Sequence, residues 1–85
     1  MRVRVRYFAS LREAVGIDVE DIDVPPEVAT AGALRIWLSE RGGVWAEHMA
    51  PGRAVRTAVA HRIATADTPI AAGQEVAFFP PVTGG

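Results

Sequence analysis

The most distinctive chemistry in this 85-residue sequence lies at its end, in Phe78-Phe79-Pro80-Pro81-Val82-Thr83-Gly84-Gly85. Gly84 and Gly85 have no Cβ, so a terminal diglycine can thread a narrow channel and present an α-carboxylate to another protein's active site. Such a carboxylate is ionised at neutral pH and is by itself a poor electrophile. Elsewhere the side-chain chemistry is sparse. His48 and His61 are the only histidines, neither belongs to a hydrolase, metalloprotease, P-loop or dinucleotide motif, and both read as ordinary core or surface residues. The carboxylates are scattered, and Glu20, Asp21 and Asp23 read as one solvated strand face rather than a general acid/base pair. The absence of cysteine excludes disulfides, cysteine metal sites and a thiol nucleophile. All nine basic side chains are arginine, so the chain offers no ε-amine for self-conjugation. An enzyme acting alone is not expected, nor is a metal or cofactor bound by this chain.

Length and charge fit a platform for that tail. One small core is possible, but not a deep substrate cavity. A net charge of −1 makes no general electrostatic case for nucleic acid or anionic membrane. There is no apolar run long enough to span a bilayer, and Arg2, Arg4 and Arg6 interrupt any signal-peptide pattern, so a cytoplasmic location is expected.

The elements that position the tail follow from periodicity. Val3, Val5 and Tyr7 alternate with Arg2, Arg4, Arg6 and Phe8, predicting a strand with Phe8 on the arginine side. Ser10 is expected to cap a short helix over Leu11 to Val15, with Glu13 completing a capping box and Gly16 as the stop. A second strand within Val19 to Val24 makes a hairpin with the first. After Pro25-Pro26, Thr30 caps a helix from Ala31 to about Arg41, with Leu34, Trp37 and Leu38 buried and Gly42-Gly43 ending it. Trp45, His48 and Met49 repeat that spacing in a shorter helical stretch. Val55, Thr57 and Val59 predict a third strand, Arg62-Ile63-Ala64 a short edge strand, and Thr65 to Gln74 a loop anchored by Ile70. The last strand, Glu75 to Phe79, turns Val76 and Phe78 one way and Ala77 and Phe79 the other until Pro80-Pro81 stops it. First and last strands should lie parallel at the centre of a mixed sheet, joined by a right-handed crossover with one main helix packed across the sheet. That is an α+β, β-grasp (ubiquitin-like) arrangement, with the domain over residues 1–81 and a flexible tail over 82–85.

Two segments, Tyr7-Phe8-Ala9-Ser10-Leu11-Arg12-Glu13-Ala14-Val15-Gly16 and Gly73-Gln74-Glu75-Val76-Ala77-Phe78-Phe79-Pro80-Pro81-Val82-Thr83-Gly84-Gly85, resemble the small, sulfur-carrying subunits of molybdopterin synthases. The resemblance implies that a ubiquitin-activating-like adenylyltransferase uses ATP to adenylate Gly85, and that sulfur then displaces AMP to leave a thiocarboxylate. It further implies a heterotetrameric synthase whose large catalytic subunit receives the tail and builds the dithiolene from cyclic pyranopterin monophosphate. Gly85 is then the carrier, Gly84 its slim neighbour, and Pro80, Pro81, Val82 and Thr83 the inserted segment. The resemblance also implies that Phe8, Ile63 and Phe79 form an apolar docking patch, with Arg12 expected on its rim. Two positions depart from the pattern of such subunits. Ala60-His61 lacks the asparagine suited to a tight turn, so a reshaped turn is expected, and Gly73-Gln74 stands where Gly-Asp is usual. The alternatives are a ubiquitin-like carrier for thiamine thiazole synthesis or protein conjugation, and a passive β-grasp interaction domain.

Overall fold

The computed structural model describes residues 1–81. Alternating valines and arginines produce β1 (Arg2–Tyr7), which buries Val3, Val5 and Tyr7 and leaves Arg2 and Arg4 in solvent. The chain continues through α1 (Ala9–Val15), β2 (Val19–Asp23), α2 (Ala31–Ser39), α3 (Gly43–Met49), β3 (Arg56–Val59), β4 (Arg62–Ala64) and β5 (Glu75–Phe79). The sheet order is β2-β1-β5-β3-β4, with β1 and β5 parallel and every other neighbouring pair antiparallel. This is the expected β-grasp arrangement. Val76 and Phe78 of β5 join Val3, Val5 and Tyr7 of β1 in one core with Leu34 and Leu38 of α2 and Met49 of α3. Burial of these apolar side chains is the main force holding helices to sheet.

Local chemistry moves some boundaries. The Phe8 N–H still donates to the Phe78 carbonyl (3.1 Å), while the Phe8 carbonyl accepts from the N–H groups of Leu11 and Arg12 (3.1 and 3.3 Å). The sheet therefore fixes Phe8 as the cap of α1, and Ser10 lies inside the helix with no side-chain cap bond. Gly16 stops α1 as expected, at φ 75° with its N–H on the Arg12 carbonyl. Thr30 does cap α2, its Oγ1 accepting from the Ala33 N–H at 3.1 Å. That helix ends at Ser39, short of Arg41, because Arg41 and Gly42 donate back to Leu38 and Ser39 in tighter turns. Gly42 and Gly43 then turn the chain into α3 at positive φ. Trp37 is only half-buried.

One face assignment is corrected. The β1–β2 register pairs Val5 with Glu20, so Glu20 shares the core side, while Asp21 and Asp23 stand opposite Arg4 and Arg2 on the solvated face. Glu20 accepts from the Tyr7 hydroxyl at 2.8 Å and from both Arg41 terminal nitrogens at 3.0 and 3.1 Å. The Arg41 guanidinium in turn lies 4.4 Å from the centre of the Trp45 ring. Burial first, and the bond to Glu20 second, push the Tyr7 phenol well above its ordinary range. No helix among the described residues is long and apolar enough to cross a membrane.

Candidate functional site

Strand parity assembles the site on the sheet face turned away from the helices. Ala77 and Phe79 leave β5 on that side because Val76 and Phe78 leave it on the other. Cross-strand register places Arg56 opposite Phe79, and Ala58 between Ala77 and Ile63. Small side chains at Ala58 and Ala77 give this face a low floor. Phe8, one residue beyond β1, extends the parallel pairing that sets Tyr7 beside Phe78, which brings it alongside Phe79. Phe8 is 40 % exposed and Ile63 72 %, whereas Phe79 is half-buried. The expected patch of Phe8, Phe79 and Ile63 is thus gathered on one face, and its exposed apolar side chains are the kind that mark a contact surface.

The rest of this face is charged and largely self-neutralised. Arg2 meets Asp23 at 3.1 Å, Arg4 meets Asp21 at 2.8 Å, and Arg6 meets Glu75 at 3.1 Å. Hydrogen bonds from Arg4 and Arg2 hold the Asp21 and Asp23 carboxyls below the usual carboxylate range. Arg12 is exposed on α1 and has no carboxylate partner among the described residues. Ala60 (φ 49°) and His61 (φ 67°) close the β3–β4 hairpin as a two-residue turn. The turn is therefore kept tight rather than reshaped, with both residues in the left-handed region.

Beyond Phe79 the chain leaves the sheet through Pro80 and Pro81, both half-buried. Pro80 lines a surface cleft with Leu11 and His48, and Pro81 lines another, about 420 Å³, with Ile63 and Arg56. The expected site residues Val82, Thr83, Gly84 and Gly85 lie outside the described residues, as does the tail over 82–85. Among the described residues, no group of three or more His, Asp or Glu side chains could hold a metal ion.

A family model described as the ThiS family matches residues 5–85. The chain belongs to the ThiS family. Two curated relatives are both named molybdopterin synthase sulfur carrier subunit. The one from Escherichia coli is 39 % identical and the one from Haemophilus influenzae 36 %, each over 98 % of this chain and 99 % of the relative. Solved structures agree on the fold. A Pyrococcus furiosus protein, proposed to be subunit 1 of a molybdopterin converting factor, superposes with a TM-score of 0.78 at 29 % identity over 96 % of this chain and 99 % of its own. Small archaeal modifier protein 1 of Haloferax volcanii gives 0.69 at 26 % identity over 95 % and 98 %.

Within this ThiS-family framework, sequence reasoning overlooked Arg53 and Arg56, which flank the patch at the Pro81 cleft. Parity in β3 was a usable signal for Arg56, since it alternates in step with Ala58. Its placement beside Phe79 depends on the β3–β5 register, which no local pattern announces.

Proposed function

We propose that this chain is the sulfur carrier subunit of a cytoplasmic molybdopterin synthase. The observation that carries this reading is the near-full-length identity, 36–39 %, to relatives bearing that name. The fold supports it. A central strand, β5, is hydrogen-bonded on both sides and delivers Pro80 and Pro81 to the surface beside an apolar patch. A rigid root and an apolar contact face suit a tail that must enter another protein.

In this reading a carboxylate oxygen of Gly85 attacks the α-phosphorus of ATP on a ubiquitin-activating-like adenylyltransferase, and pyrophosphate leaves. Hydrosulfide then attacks the acyl carbon and AMP leaves with the bridging oxygen, so the glycine ends as a thiocarboxylate. The charged tail, Val82, Thr83, Gly84 and Gly85, enters the large catalytic subunit, which supplies the general acids and lysines and passes the sulfur to cyclic pyranopterin monophosphate. Phe8, Arg12, Ile63 and Phe79 dock the carrier on both partners. The chain itself supplies no thiol and no ε-amine to compete for the activated carbonyl, because it has neither cysteine nor lysine.

Intact mass spectrometry tests this. After incubation with ATP, the adenylyltransferase and a sulfur source, the full chain should gain the mass difference between sulfur and oxygen, and a form lacking Gly85 should not. No gain, with the enzyme active on another carrier, sinks the proposal.

A further inference from the structure

Among the described residues the arginines divide into two groups. Arg2, Arg4, Arg6 and Arg41 pair with carboxylates, and Arg35 donates to the carbonyls of Met49, Ala50 and Arg53 at 2.7–2.8 Å. Arg12, Arg53, Arg56 and Arg62 have no such partner among these residues. Two of them, Arg53 and Arg56, line the same cleft of about 420 Å³, whose apolar wall includes Ala54, Val55, Ile63 and Pro81. Arg35 fixes one side of it by pinning the turn that carries Arg53. The cleft's other wall is Ala31 and Gly32 of α2, so it opens at the β3–β4 edge of the sheet, where Ile63 and Pro81 join it to the docking face and the tail root.

We infer that this cleft receives an acidic segment of the large subunit, with a carboxylate held between Arg53 and Arg56 and an apolar side chain against Ala54 and Val55. The inference rests on the docking face proposed above and assigns Arg56 as a specificity-determining residue. Charge complementarity carries it. The whole chain has a net charge of −1, yet the charged side chains left over beside Phe79 and Ile63 are cations. Among the described residues, neighbouring arginines already pair with Asp21, Asp23 and Glu75 on this face, which leaves Arg56 open to a carboxylate from a partner. An unpaired cation at an apolar rim attracts acidic partners during encounter and repels basic ones.

The test measures binding of the full chain to the large subunit by stopped flow and calorimetry, between about 50 and about 300 mM salt. Arg56→Glu and Arg53→Glu should each slow association at least about tenfold at low salt and flatten its salt dependence. Arg62→Glu is the matched control. Arg62 is equally unpaired, but it pairs in register with buried Val59 and so leaves β4 on the opposite side from Ile63. It should change binding less than about twofold. Phe79→Ala reports on the docking face itself. If Phe79→Ala weakens binding while Arg56→Glu behaves like Arg62→Glu, the acidic-segment inference is overturned and the docking reading stands. If neither matters, both fall. Tighter binding by Arg56→Glu, as release of a cleft occupied by the chain's own tail would give, also overturns the inference. All these arginines are solvent-facing, and matching thermal midpoints confirm that folding is unaltered.

Discussion

Phe78 and Phe79 are adjacent in sequence and opposite in consequence. Phe78 is fully buried, with its ring 6.3 Å from that of Tyr7, while Phe79 lies half-buried on the outer face. Truncating Phe78 leaves a cavity in a core that packs without spare space, so Phe78→Ala should cost about 3–5 kcal/mol of stability. Truncating Phe79 removes the centre of the proposed docking patch and little of the core. Phe79→Ala should therefore weaken binding to the large subunit at least about tenfold, as loss of an aromatic hot spot does. Its effect on folding should stay at about 1 kcal/mol, typical of point substitutions in general and well below that of a core truncation. Chemical denaturation beside calorimetric binding separates the two quantities. A lowered thermal midpoint with unchanged affinity would remove Phe79 from the docking surface.

At the scale of elements, the β3–β4 hairpin holds strain that a different pair of residues would relieve. Ala60 and His61 both sit at positive φ, where an L-residue with a Cβ is disfavoured by about 1–2 kcal/mol. Glycine adopts that region freely but loses more entropy on folding, so the net gain is smaller. Ala60→Gly and His61→Gly should each stabilise the domain by about 0.5–1 kcal/mol. The urea midpoint should rise with its slope unchanged, and a fall in midpoint would show that these two backbones are not strained. This turn also marks how far the sequence could be read. The missing asparagine was visible, but whether the turn would change or the strain be tolerated depended on strand register, which pins Val59 to Arg62 and Val76 alike. The alternation of β1 and β5 was legible because each buries one face against helices. Glu20 was misplaced because acidic neighbours masked the parity set by Ile22, two residues along on the same side. The start of α1 escaped because a sheet hydrogen bond at Phe8, not a hydroxyl at Ser10, decides it.

On the scale of the whole molecule, one phenol reports on the integrity of everything above. Tyr7 is the only tyrosine, it is fully buried against the ring of Phe78 and in a T-shaped contact with Trp45, and its hydroxyl donates to Glu20. Ionising it in place would put a phenolate in the core beside a carboxylate, which is why its pKa stands above the ordinary value of about 10. The unfolded chain has no such restraint. A group whose folded pKa is raised contributes stability that is complete below its unfolded pKa and declines as pH climbs past it. The domain should thus lose stability above about pH 10, the range in which a free phenol ionises. Ultraviolet absorbance of phenolate makes the coupling visible without interference from a second tyrosine. In the native protein phenolate should stay absent where a free tyrosine is half-ionised, and then appear together with the loss of tryptophan fluorescence as the fold opens. Tyr7→Phe should remove that alkaline decline while forfeiting the bond to Glu20, which lowers stability at neutral pH by about 1 kcal/mol. A phenolate signal with an ordinary midpoint, arising while the tryptophan signal remains native, would show that Tyr7 ionises within the folded domain and that its burial does not link core to pH.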